Sequence, residues 1–177
     1  FSALRTISDM DNSKWHAEVT LQKSLGNNDQ TGQVLTPMGT EMNMILPYAM
    51  QPSDKATRLI LGLNNSRKLS EKVSWTSQAR FKKVLDEKEW AYGDQLELNS
   101  WVQYQYKPSL SVSTRLKFLN QKDISGSNPM IMAPVQTANP QNYGGDELHI
   151  GLGANYDLSS LTSKQDVFGV EILFPII

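Results

Sequence analysis

The sequence predicts an all-β fold: an antiparallel up-and-down transmembrane β-barrel, with about eight strands in view. Two observations predict it. Apolar and polar side chains alternate with period two over segments of about ten residues, long enough to span the hydrocarbon when tilted. Connections also alternate in length, as in barrels that join short turns on one side of the membrane with longer loops on the other. A third observation removes the rival membrane architecture. The 177-residue chain has no run of eighteen apolar residues, which excludes a helical span. Strands that present only every second residue to lipid are hidden in a hydropathy average.

In chain order, Phe1 to Ile7 reads as a short opening strand before a turn over Ser8-Asp9-Met10-Asp11-Asn12-Ser13. Trp15, Ala17, Val19 and Leu21 then oppose His16, Glu18, Thr20 and Gln22. Thr57, Leu59, Leu61 and Leu63 oppose Arg58, Ile60 and Gly62, and Val73, Trp75, Ser77, Ala79 and Phe81 oppose Ser74, Thr76, Gln78 and Arg80. The clearest pair runs from Gln95 to Leu119 around Lys107-Pro108-Ser109. Leu96, Leu98, Val102, Tyr104, Val112, Leu116 and Phe118 share its apolar faces, against Glu97, Trp101, Gln103, Arg115 and Lys117. Leu148 to Tyr156 and Phe168 to Phe174 complete the series, with Glu147, His149 and Glu171 on the polar side.

Taking 8–14, 64–71, 107–109 and 157–165 as inner turns leaves 25–54, 82–94 and 120–146 as external loops of one domain, 1–177. Glu41 to Met50 alternates too, through Met42, Met44, Leu46 and Tyr48. Counted as a barrel strand it breaks the alternation of connection lengths, so it is assigned to the first long loop, folded over or into the barrel mouth. Eight strands could close a small barrel. The opening in mid-strand at Phe1 and Pro175 in the final strand favour part of a larger one, and a start without Met suits a processed or partial chain.

A net charge of −1 gives no electrostatic case for nucleic acid, and the absence of cysteine removes disulfides, thiolate metal sites and cysteine nucleophiles. His16 and His149 are the two histidines, and neither has a nucleophile or a metal-spaced partner nearby in sequence. No glycine-rich phosphate loop is present. No catalytic role, cofactor or metal is therefore expected. Asn64-Asn65-Ser66 matches a glycosylation triplet and reads as a turn.

The polar faces supply the candidate site. Arg58, Gln78, Arg80, Glu97, Trp101, Gln103, Arg115, Lys117 and Glu171 are expected to line a lumen or solute path, reached past Tyr48 and Met50. The plainer alternative is that opposite charges pair across strands and fill the interior. Met38, Met42, Met44, Met130 and Met132 fall in the two longest loops and are expected at a constriction there. Thioethers could line a path for apolar solutes, bind monovalent copper, or simply pack the loop on itself. Trp15, Trp75, Tyr104, Tyr106, Tyr156 and Phe174 lie on apolar faces or near strand ends, where aromatic girdles form.

Several segments resemble a known family in order. They are Gln33 to Thr40, Leu46-Pro47-Tyr48-Ala49-Met50-Gln51, Trp75-Thr76-Ser77-Gln78, Tyr92-Gly93-Asp94 and Ser113-Thr114-Arg115-Leu116. Pro140 to Gly145, Gly151 to Tyr156 and Gly169-Val170-Glu171 follow. Together they resemble the outer-membrane "meta-pathway of phenol degradation" transporter family. The resemblance implies a Gram-negative outer-membrane barrel, in contact with lipid, passing small hydrophobic or aromatic compounds inward or outward. Two departures stand out: Pro52-Ser53-Asp54-Lys55 replaces a glycine-rich stretch usual after the first loop, and the closing strands are not seen after Glu171. The competing readings are a soluble β-sandwich binding module, which shorter strands would favour, and a structural or adhesive barrel that does not conduct.

Overall fold

The computed structural model describes residues 1–36, 38–131, 135–159 and 166–176. Twelve strands form in chain order: β1 (Ser2–Met10), β2 (Ser13–Lys23), β3 (Thr31–Leu35), β4 (Glu41–Ile45), β5 (Thr57–Lys68), β6 (Val73–Asp86), β7 (Trp90–Ala91), β8 (Gln95–Lys107), β9 (Leu110–Gln121), β10 (Ser125–Gly126), β11 (Gly145–Asp157) and β12 (Val167–Pro175). Eight of them make one sheet in the order β1-β2-β5-β6-β8-β9-β11-β12, and every neighbouring pair is antiparallel. The order follows the chain, as an up-and-down meander requires. Among the described residues β1 and β12 each pair on one side only, so the sheet is open. Among the described residues no helix is long and apolar enough to cross a membrane.

The first long connection holds the β3–β4 hairpin as a separate two-stranded sheet, so Glu41 to Ile45 is a hairpin strand that lies outside the eight-stranded sheet. Several strands run further than the alternation implied. β1 reaches Met10, leaving Asp11-Asn12 as the turn, and β6 reaches Asp86. β5 continues through Asn64-Asn65-Ser66, which is strand and not the expected turn. These polar residues hold the ladder through their side chains: Asn65 Nδ2 donates to Ser13 Oγ at 2.9 Å, and the Ser66 and Thr76 hydroxyls are 2.8 Å apart. Their turn propensity loses to cross-strand hydrogen bonding.

Registration puts the alternating residues on two continuous faces. Leu63 faces Ala17 and Ala79, Phe81 faces Leu61 and Leu96, Leu116 faces Ser100 and Ile150, and Val112 faces Tyr104 and Ala154. This apolar face is open. Val19, Leu61, Val112, Leu116, Ile150, Leu152 and Ile172 are all exposed, Leu152 by 58%. Trp75 sits at its turn end, its indole N–H donating to Ser100 Oγ at 2.9 Å. Tyr104, Tyr106 and Tyr156 are exposed on the same side of the apolar band.

The opposite face is polar and more enclosed. Across it Glu18, Gly62, Arg80 and Glu97 form one row, and Gln78, Asn99, Lys117 and His149 the next. Arg80 donates to Glu18 at 3.3 Å over the intervening strand β5, because Gly62 between them carries no side chain. A Cβ at Gly62 would lie 3.0 Å from Glu18 Oε2 and 3.5 Å from Arg80 Cγ. The same device recurs on β11, where Gly151 and Gly153 stand between Arg115 and Glu171, paired at 3.0 Å. Replacing Gly62 with Leu should therefore push the Arg80–Glu18 pair apart and cost about 1–3 kcal/mol by overpacking. Equilibrium unfolding of the variant against wild type measures this, and an unchanged midpoint would contradict the crowding.

Candidate functional site

Nine of the eleven residues expected along a solute path do share the polar face, and the structure gives nearly all of them partners. Arg80 holds Glu18, Lys117 lies 3.7 Å from Glu97, and Arg115 bridges to Glu171 while its guanidinium stacks 5.2 Å from the Trp101 ring. Asn99 donates to Gln78 and Glu97, and Gln103 to Ser111 Oγ at 2.8 Å. The charges thus pair across strands. Pairs this exposed contribute little stability each, about 0–1 kcal/mol, but they leave a face that is polar and close to neutral.

Arg58 differs from the rest. Both terminal nitrogens of its guanidinium donate to the Asp54 carboxylate, and Nη2 also reaches the Tyr92 carbonyl at 3.3 Å. The two side chains are 7% and 3% exposed. Asp54 in turn accepts from the backbone N–H groups of Ala56 and Tyr92 at 3.2 and 3.1 Å. Lys55 between them adopts φ 56°, a left-handed turn fixed by the Asp54 contact to Ala56. Burial alone would raise the Asp54 pKa. The Arg58 hydrogen bonds and charge, with the two backbone donors, outweigh it and hold the carboxyl below its ordinary value of 3.8.

This pair is the joint between the sheet and a cap built from all three long connections. Tyr48, Trp90, Ile124 and Ile131 form a buried cluster, against which Ile45, Tyr92, Ala138 and Tyr143 pack. The four aromatic rings meet edge to face: Tyr48 with Trp90 at 4.8 Å, Trp90 with Tyr92 at 5.5 Å, Tyr92 with Tyr143 at 5.8 Å and Tyr143 with Tyr48 at 6.0 Å. Their hydroxyls tie loop to loop. Tyr92 donates to the Tyr48 carbonyl at 2.9 Å, the Asn128 N–H donates to the Tyr48 hydroxyl at 3.0 Å, and the Ala49 N–H to the Tyr143 hydroxyl at 3.1 Å. Gln51 closes the base of the first loop through Gln30 and Leu46. Gly93 packs so closely that a Cβ would sit 2.3 Å from the Asp123 carbonyl oxygen and 2.5 Å from that of Lys122.

Tyr48, expected at the entrance of a solute path, is thus 1% exposed and locked in the cap core, because the Trp90 and Tyr143 rings and a backbone donor enclose it. Met50 lies on the surface of the cap at 60% exposure. Among the described residues none of the methionines expected at a constriction belongs to the buried cluster of the cap. Met38, Met42 and Met130 are exposed by 89%, 55% and 63%, and Met42 and Met44 alternate along the outlying strand β4. Met132 lies outside the described residues. Among the described residues no cluster of His, Asp or Glu could hold a metal ion.

Of the cap residues, Asp54, Tyr92 and Tyr143 figure in the sequence reading only within segments of the family resemblance, with no site role, and Trp90 not at all. Their signal was aromatic residues set in loops, beside Gly93 and Gly144, within segments that otherwise read as connections. No protein-family model matches the chain, and no curated protein matches it either.

Removing one member of the buried pair leaves the other charge without compensation. Asp54→Asn or Arg58→Met should cost about 3–5 kcal/mol, read by denaturation, with Gly93→Ala also strongly destabilising. The pH dependence has a fixed sign. Asp54's folded pKa lies below its unfolded one, so the stabilisation is complete above 3.8 and is lost as pH falls through the lower folded value. The near-ultraviolet dichroism of the ring cluster should weaken in that acid range. A cap signal that survives full protonation of Asp54 would contradict the joint.

Proposed function

We propose that these residues belong to an outer-membrane β-barrel that passes small hydrophobic or aromatic molecules along its polar interior. The observation that carries this reading is the inversion of the two faces. Side chains such as Val112, Leu116, Ile150 and Leu152 stay exposed along the sheet while charged groups on the other face pair and are more enclosed. A soluble β-sandwich would cover that apolar face with a second layer. No second layer lies on it among the described residues, and contiguous apolar surface of this extent marks contact with lipid or another protein. The open edges β1 and β12 fit a barrel completed by further strands. The ordered resemblance to the phenol-degradation transporter family supports the same reading and suggests the solute class.

The solute route follows the polar face by Gln78, Arg80, Glu97, Trp101, Gln103 and Arg115, beneath the cap and not through Tyr48. With most charges paired, the face has polar contacts for a solute and little field to repel an uncharged one.

Two measurements test the proposal on the full-length protein. It should fractionate with membranes and, in liposomes, raise the permeation of aromatic solutes above that of empty vesicles. Solubility without detergent, or no added flux, would refute it. Leu116→Arg, in the middle of the exposed band, should also lower folding stability in a bilayer by about 2–4 kcal/mol, whereas Ser113→Arg on the polar face should cost far less. Equal costs at the two sites would contradict the assignment of faces.

A further inference from the structure

Lys82 continues the polar row of β6 two residues beyond Arg80, opposite Ile60 on β5 and Gln95 on β8. Two adjoining hollows of about 340 Å³ each lie on this face, the first against the cap at Gln51 and Asp54 and the second along the sheet, and Gln22, Lys82 and Gln95 line both. That volume is at the lower end of small-molecule sites, about 300–1,000 Å³. The first hollow is also lined by Asp54, Arg58, Tyr92 and Gln121, the second by Thr20, Ile60, Arg80 and Glu97.

The charges around the hollows do not balance. Arg58 is neutralised by Asp54, Arg80 by Glu18, and Glu97 is engaged with Lys117. Among the described residues Lys82 has neither a hydrogen-bond nor an ion-pair partner. Its cross-strand neighbours offer no carboxylate, and the Gln95 amide nitrogen is donated to Gln121 Oε1 at 3.0 Å. A half-buried ammonium flanked by two paired guanidiniums, in a half-open recess of the polar face, is a place for one negative charge.

We propose that Lys82 anchors a binding site for a small organic monocarboxylate beneath the cap. The carboxylate meets the Lys82 ammonium, and the body of the ligand lies against the nearly buried Ile60 side chain and Tyr92. A single surplus positive charge selects a monoanion over a dianion, whose second charge would find no partner. The inference deepens the channel reading and rests on it, since it names the solute class held at that channel's cap end.

The test is calorimetric titration of the full-length protein in detergent with benzoate, benzyl alcohol and inorganic phosphate at low salt. Benzoate should bind, Lys82→Gln should weaken it by about tenfold or more, Lys82→Arg should retain most of it, and Lys122→Gln on another hollow should change nothing. Benzyl alcohol, of like shape without the charge, should bind at least about tenfold more weakly than benzoate. No benzoate binding, binding indifferent to Lys82→Gln, or benzyl alcohol binding as well as benzoate would overturn the proposal. Phosphate competing as well as benzoate would overturn the assignment to a monocarboxylate. Binding in detergent needs no conduction. Lys82-dependent binding without flux would count against the channel alone, and flux without such binding against this site alone.

Discussion

An eight-stranded sheet has two faces, and in this chain only the polar one pairs most of its charges from within. Arg80 reaches Glu18, Arg115 reaches Glu171 and Lys117 approaches Glu97, each across the pleat and two of them over a glycine. Nothing in the described chain performs the corresponding service for Leu61, Leu116, Ile150 or Ile172. Burying apolar surface is worth about 25 cal/mol per Å², and a sheet that leaves so much of it uncovered gains that stabilisation only from surroundings that are not water. On the channel reading, the bilayer is that surrounding, and the strand order, the paired charges and the girdle near Trp75 and Tyr104 follow from it.

The cap obeys the opposite rule. Its core is buried and aromatic in the manner of a soluble protein, although it is assembled from three connections and not from strands of the sheet. Edge-to-face ring pairs and hydroxyl bonds between loops give it internal order. Asp54 and Arg58 fasten it to the first residues of β5, and Asp94 does the same at β6, accepting from Val84 N–H at 2.9 Å and Lys83 at 2.7 Å. One chain thus contains two folding environments, joined at a buried ion pair. The hollows by Lys82 lie where the two meet.

Much of the sheet was legible because period two is a local property. The β8–β9 pair and the faces of β2, β5, β6 and β11 all follow from alternation, whereas Glu41 to Ile45, read as loop from connection length, is a strand of a separate hairpin. What alternation could not supply is non-local. Asn65 looks like a turn residue until Ser13, 52 positions away, is known to accept its hydrogen bond. Tyr48 looks like an exposed loop aromatic until Trp90 and Tyr143 are seen around it. Lys82 follows the parity of Arg80, but the apolar pattern fades after Phe81, so the strand seemed to stop five residues short of Asp86 and the lysine fell into a loop.

The orientation of the two faces is most directly measured by site-directed depth quenching. The chain lacks cysteine, so a single fluorophore-bearing cysteine can be placed at consecutive β9 positions, from Val112 through Lys117, in vesicles of brominated lipid. The account predicts strong quenching at Val112, Thr114 and Leu116 and weak quenching at Ser113, Arg115 and Lys117. Uniform quenching, none at all, or the reverse alternation would contradict it.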